Sequence, residues 1–206
     1  MASWRQAALA LALVVWCIPA RAADPAAERI QSFYGTLLDT MKKGPELGMQ
    51  GRYHALEPAV DATFDIPAMI QFIVGPGWAS MKEDDRNNLI AAFRRMTVAN
   101  YAANFAAFGG QQFNVDPKVQ QRGPDKLVQT TLVPNGDKPV PLVYRTRESA
   151  SGWKVIDVFL NGYVSELAMR RSDFASTLAS GGAPALVTKM NQISDGLLSG
   201  GTKSSM

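Results

Sequence analysis

Four β-rich runs separated by short turns constrain the fold of this chain more than any other feature. The runs cover residues 113–121, 126–134, 140–148 and 153–160. The turns between them contain Gly123-Pro124-Asp125, Asn135-Gly136-Asp137 and Ser151-Gly152. Runs joined by connections this short pair as antiparallel neighbours. The pattern therefore predicts a mainly four-stranded antiparallel meander. The last strand should lie inside the sheet, because both of its faces are apolar except at Asp157.

Apolar residues recur at helical intervals on both sides of these strands. They predict helices over residues 25–43, 46–62, 68–74 and 83–108 before the strands, and over 164–178 and 184–198 after them. Ser80 and Glu83 fit a capping box at the start of the longest helix. Helices before and after one continuous sheet predict an α+β fold with the helices packed on one sheet face.

Residues 1–22 have the three-part layout of a secretory signal. Arg5 supplies the positive charge, residues 7–18 are uncharged and mostly apolar, and Ala20-Arg21-Ala22 fits a signal-peptidase site. We expect cleavage after Ala22, which removes Cys17, the only cysteine. Residues 23–198 are then expected to form a single domain or two intimately packed lobes, and residues 199–206 a disordered tail.

The residues that most enzymes and metal proteins need are scarce in this chain. It contains one histidine, His54, and no cysteine beyond the signal, which excludes a structural zinc site or a Cys-His nucleophile pair. No nucleotide-binding glycine loop and no nucleophile-elbow motif is present. The net charge is +3, and two of the positive residues lie in the signal, which argues against nucleic-acid binding. We therefore predict no metal, no cofactor and no nucleic-acid partner.

Asp157 lies on an otherwise apolar strand and leaves two interpretations open. Burial would raise its pKa and prepare it to act as a general base in a small enzyme on an apolar substrate. Alternatively, it has a structural role, pairing with Arg145 or Arg147 across the sheet or accepting backbone hydrogen bonds. We favour the structural role and predict no catalytic residue.

Several short motifs follow one another in an order typical of one family. They are Phe64-Asp65-Ile66-Pro67-Ala68-Met69, Gly75-Pro76-Gly77-Trp78, Trp153-Lys154-Val155-Ile156-Asp157-Val158, Gly162-Tyr163-Val164-Ser165 and Arg171-Ser172-Asp173-Phe174. Over about residues 30–198, this ordered set resembles the MlaC-like, or toluene-tolerance auxiliary, family of periplasmic lipid-binding proteins. Residues 97–105 and 168–174 resemble its hopanoid-biosynthesis-associated branch, HpnM. Pro76 and Gly77 depart from the form usual in the phospholipid shuttles of the family.

The resemblance implies a periplasmic protein that carries hopanoids or phospholipids between the inner and outer membranes and catalyses no reaction. It also implies an inner-membrane lipid exporter or ABC-type transporter as partner, and transient contact with membranes. An adaptor that docks a transporter and has a filled core remains an alternative, because periodicity does not distinguish a filled core from a hollow one.

A carrier of this kind needs an apolar cavity between the helices and the sheet. We expect its wall to consist of large side chains from the short helix, the long helix and the sheet. They are Ile70, Ile73, Val74, Trp78, Phe93, Met96, Tyr101, Phe105, Leu132, Leu142, Tyr144, Val158, Leu160 and Tyr163.

Overall fold

The computed structural model describes residues 23–200, which contain five α-helices, a short 3-10 helix (Gly75–Ser80) and six strands. The predicted signal segment lies outside these residues. The helices are α1 (Pro25–Lys42), α2 (Gly44–Thr63), α3 (Ile66–Val74), α4 (Glu83–Asn104) and α5 (Glu166–Leu198). The strands are β1 (Gln112–Val115), β2 (Gln120–Arg122), β3 (Asp125–Val133), β4 (Val140–Ser149), β5 (Gly152–Leu160) and β6 (Val164–Ser165).

The strands form one antiparallel sheet in the order β1-β3-β4-β5-β6, and β2 also pairs with β3. The predicted α+β fold and the antiparallel meander are confirmed. β5 pairs with β4 along its length, but on its other edge β6 covers only Phe159 and Leu160, and Phe64 makes one bridge to Val155. The prediction that this strand lies inside the sheet is therefore correct only for its end.

The prediction of one strand over residues 113–121 is wrong, because this segment forms two short strands, β1 and β2. The break contains Pro117, which has no N–H to continue a ladder. The preceding Asp116 turns the chain by accepting a hydrogen bond from the Lys118 N–H at 2.8 Å. β1 then pairs with the end of β3 and β2 with its start, so β3 extends along both short strands.

The helix predicted over residues 83–108 begins at Glu83 as expected, but it lacks the predicted cap and ends early. No capping box forms, because the Ser80 hydroxyl donates to the Gly77 carbonyl and α4 begins at Glu83 without a side-chain cap. The helix stops at Asn104, four residues earlier than predicted. Phe105 leaves the helical conformation there, and the N–H of Phe108 instead donates to the Met41 carbonyl at the end of α1.

The two helices predicted at the end of the chain form one kinked element, α5. The kink is at Gly182, whose positive φ of 62° suits glycine and is followed two residues later by Pro184. Ser199 and Gly200 still hydrogen-bond to the last turn of α5. The rest of the predicted tail lies outside the described residues.

The core lies between the helices and the inner face of the sheet. Val128, Tyr144 and Val158 project from neighbouring strands, and they are buried together with the apolar face of α1. Phe33 and Tyr34 of α1 make aromatic contacts on this side of the sheet. The ring centroids of Phe33 and Tyr101 are 5.1 Å apart, and those of Tyr34 and Tyr144 are 5.8 Å apart. Such edge-on pairs add to the stabilisation from burial.

Candidate functional site

An open cavity of about 370 Å³ lies between the helices and the inner face of the sheet. α1, α3, α4 and α5 supply one side of its wall, and β1, β3, β4 and β5 supply the other. Most of the lining side chains are aliphatic or aromatic. The volume falls within the range of small-molecule sites, about 300–1,000 Å³. The inner face of the sheet is thus only partly covered by packed helices.

Nine of the predicted wall residues line this cavity. They are Phe93, Met96, Tyr101, Phe105, Leu132, Leu142, Tyr144, Val158 and Leu160. The structure brings them together from α4, the chain after it, and three adjacent strands. Leu142 and Leu160 are direct cross-strand partners, as are Tyr144 and Val158.

The other five predicted residues lie outside the cavity wall. Ile70, Ile73 and Val74 are buried in the core on α3, whereas Met69 is the residue by which that helix contacts the cavity. Trp78 packs against the core from the short 3-10 helix after α3. Tyr163 is 78% exposed, because the positive φ of Asn161 and Gly162 turns the chain towards β6 and leaves this ring in solvent.

Sequence reasoning missed several lining residues. Tyr34 and Leu37 come from α1, and Leu167, Ile193 and Leu197 come from α5. Their helical periodicity was visible, but periodicity shows only that a face is buried and not whether it meets a cavity or another helix. The polar pair Glu166 and Arg170 also lines the wall, without any sequence signal to single it out.

Two tyrosine hydroxyls in the cavity wall, those of Tyr34 and Tyr144, are hydrogen-bonded to each other. The Tyr34 hydroxyl lies 2.8 Å from Thr130 Oγ1 and donates to the Tyr144 hydroxyl at 3.0 Å. Burial raises the pKa of Tyr34 to about 12 and raises the pKa of Tyr101 and of Tyr144 as well. These phenols therefore stay neutral at physiological pH, and this part of the wall carries no charge.

An apolar cavity between helices and sheet is what the family resemblance of the motifs led us to expect. A comparison with known families decides whether the chain belongs to that family. The family described as MlaC protein matches residues 31–192. The chain belongs to the MlaC family. A solved structure with a similar fold is the phospholipid-binding protein from Ralstonia solanacearum in complex with a phospholipid. It is 22% identical, has a TM-score of 0.74, and the match covers 84% of this MlaC-family chain and 99% of the other. A comparison with curated proteins gives no match.

Asp157 has a structural environment in this MlaC-family chain. Its Oδ1 accepts from the N–H groups of Val158 and Leu167 at 2.8 and 3.2 Å, and its Oδ2 accepts from the Ser165 hydroxyl at 2.6 Å. The aspartate thus ties β5 to the first turn of α5. It is buried and does not belong to the cavity wall. The interpretation as an acceptor of backbone hydrogen bonds is confirmed.

The alternative pairing of Asp157 with an arginine is wrong. Arg145 faces Asp157 in the sheet register, but Arg145 and Arg147 both bind the buried carboxylate of Asp125 instead. The two guanidinium groups lower the pKa of Asp125 against the effect of burial. Asp157, although also buried, already accepts from two N–H groups and one hydroxyl, so its oxygens are occupied.

His54 does not line the cavity. His54 is on the surface of α2, where Nδ1 lies 3.0 Å from Glu57 Oε2. Between residues 23 and 200, no group of three or more histidine, cysteine or acidic side chains is arranged to hold a metal ion. Over the same residues, no helix is both long and apolar enough to cross a membrane.

Proposed function

We propose that this MlaC-family protein is a periplasmic lipid carrier that holds the apolar part of a hopanoid or phospholipid in the cavity. The observation that carries the proposal is the open, mostly apolar cavity between helices and sheet. The similar fold of the Ralstonia solanacearum phospholipid-binding protein supports it. The chain itself carries out no reaction in this proposal, and the cargo is released unchanged.

The energetics of lipid transfer explain why such a cavity is required. Each buried CH₂ group contributes about 0.8 kcal/mol, so a chain of about 16 carbons is held in a bilayer by on the order of 10 kcal/mol. A carrier must offer a nearly equivalent apolar environment, or the lipid will not leave the membrane. A wall of aliphatic side chains and neutral tyrosines meets this requirement with few polar groups to desolvate.

The choice between hopanoid and phospholipid would depend on the helices that line the cavity. Residues 97–105 resemble the HpnM branch, and four of them, Thr97, Asn100, Tyr101 and Phe105, line the wall. In the second such segment, residues 168–174, Arg170 lines it. The two resemblances thus fall on cavity residues, which supports a hopanoid as cargo alongside phospholipids.

We propose that the carrier moves its cargo between the inner and outer membranes and exchanges it with an inner-membrane exporter or ABC-type transporter. The predicted secretory signal would place the protein between these membranes. Delivery would require only transient contact with each membrane. The family resemblance supports these partners.

The Asp157→Asn variant is expected to transfer lipid as well as the unchanged protein. Asparagine keeps an oxygen for the Val158 and Leu167 N–H groups, so we expect a loss of stability of only about 1 kcal/mol. Transfer is measured with a fluorescent phospholipid moving from donor to acceptor vesicles, with the protein lacking residues 1–22. A folded variant that lost turnover of an apolar substrate would instead favour the enzyme interpretation with Asp157 as its base. No transfer by the unchanged protein, with either a phospholipid or a hopanoid, would contradict the proposed function.

A further inference from the structure

Three loops lie together at one end of the sheet. They connect α4 to β1 (residues 105–111), β3 to β4 (134–139) and β5 to β6 (161–163). Because the strands are antiparallel, the starts of β1 and β4 and the ends of β3 and β5 share this end. The first two loops also touch, since Gly110 lies beside the side chain of Asn135. These three loops are called the rim below.

The cavity opens beside the rim. Phe105 and Asn161 belong to the rim and line the cavity, and Val140, which directly follows the second loop, lines it as well. Asn161 is exposed, and Phe105 and Val140 are half-buried. Deeper in the wall, by contrast, Tyr34 and Tyr144 are buried. The rim therefore borders the opening through which a lipid would enter.

Two exposed aromatic rings project from the rim. Tyr163 is 78% exposed and Phe108 is 42% exposed, and they are two of the three large hydrophobic side chains exposed between residues 23 and 200. Both have an ordered backbone, because the Tyr163 N–H donates to the Leu160 carbonyl at 3.2 Å and the Phe108 N–H to the Met41 carbonyl at 3.1 Å. The rings are thus held in solvent beside the opening of an apolar cavity.

The chemistry of the rim favours a lipid surface as its partner. The three loops contain one acidic and one basic residue, Asp137 and Lys138, so they carry no net charge. Electrostatic docking on a charged partner needs complementary charge, which such a rim does not supply. Aromatic rings are instead enriched where a bilayer meets water, and tyrosine suits this zone because its ring is apolar and its hydroxyl is polar.

We propose that the rim docks on the membrane surface, with Tyr163 and Phe108 inserted into the interfacial layer. The inference rests on the proposed function. In this orientation the opening faces the bilayer, so an acyl chain or ring system passes into the cavity without exposing its apolar surface to water. Because burial of the rings drives the docking, it requires no anionic lipid and is insensitive to salt.

A fluorescent reporter on the rim tests the docking directly. The protein lacking residues 1–22 has no cysteine, so one can be introduced at a chosen site. Lys138→Cys places it on the rim, and the control Ser151→Cys places it in the exposed turn between β4 and β5, at the other end of the sheet. Each is labelled with a polarity-sensitive dye. With phosphatidylcholine vesicles, we expect the emission at position 138 to rise at least about twofold at low and high salt, and that at position 151 to stay constant.

Lipid transfer tests the role of the two rings. The double variant Phe108→Ser, Tyr163→Ser is expected to transfer a fluorescent phospholipid between vesicles about tenfold more slowly. Its lipid retention should be unchanged, because neither ring lines the cavity. Phe72→Ser is the matched control. Phe72 is 46% exposed on α3, outside the rim, and its replacement should leave the transfer rate unchanged.

The outcomes separate this inference from the proposed function. Normal transfer by the folded double variant would overturn the inference, as would an equal dye response at positions 138 and 151 or a response that disappears at high salt. An absent response with these protein-free vesicles would also overturn it and would leave a transporter protein as the occupant of the rim. The carrier function stands in each case if the unchanged protein binds lipid. It fails if that protein neither binds nor transfers lipid.

Discussion

Replacing Leu142 with arginine is expected to lower lipid retention by at least about 100-fold while the protein remains folded. Leu142 lines the cavity from β4 and is only partly buried, so the longer side chain can be accommodated by filling the cavity. A guanidinium there would occupy the space of the acyl chain or ring system and would need water around it. Retention is measured by extracting lipid from the purified variant, and folding by circular dichroism and thermal unfolding.

The matched control is the adjacent residue, Val143→Arg. Successive strand residues point to opposite sheet faces, so this arginine projects from the outer face. It adds the same charge to the same strand and should leave lipid retention unchanged. Val158→Arg is a second cavity variant, on the neighbouring strand. A folded Leu142→Arg protein that kept its lipid would show that this residue does not form the binding wall.

Replacing Gly44 with alanine is expected to destabilise the protein by about 1–3 kcal/mol or more. Gly44 lies at the junction of α1 and α2, where a Cβ would overlap the carbonyl oxygen of Ala106. Because that neighbour is backbone, no side-chain rotation relieves the clash. The buried Arg52 also donates to the Gly44 carbonyl at 3.1 Å and to the Ala102 carbonyl at 2.9 Å, so a shift of this junction disturbs the contact between α2 and α4.

Gly35→Ala is the control for this prediction. Gly35 is exposed in the middle of α1, and a Cβ there would meet no atom within 4 Å. Alanine should stabilise the protein by up to about 1 kcal/mol through its higher helix propensity. Denaturant unfolding of both variants measures the two effects. Equal stability of the Gly44→Ala protein and the unchanged protein would contradict the close approach at Ala106.

The sequence predicted the three long strands closely and the end of α4 poorly, and the reason is physical. Turn residues and alternation act locally, and they place β3, β4 and β5 within a few residues of their observed bounds. Pro117 was a local signal too, and its missing N–H explains why the first predicted strand divides. The end of α4 instead depends on a tertiary hydrogen bond, from the Phe108 N–H to Met41, which no local pattern contains.

The cavity wall was predictable only in part. The residues predicted on the long helix and on the sheet do line the cavity. The inner faces of these two layers must meet in an α+β arrangement, so their apolar positions point to the same space. α3 is apolar on most of its surface, so its sequence does not show which residues contact the cavity, and Met69 does so instead of Ile70 or Ile73. The position of Glu166 in the cavity wall could not be predicted either, because the burial of its carboxylate depends on α5 packing against the sheet.

Native mass spectrometry with lipid extraction tests the central claim most directly. The protein would be produced with its predicted signal in a host that makes hopanoids, exported, and purified without detergent. We predict one phospholipid or hopanoid bound per protein, and extraction followed by lipid analysis would identify which class it is. A protein that is empty on purification, and still empty after incubation with both lipid classes, would contradict the carrier function.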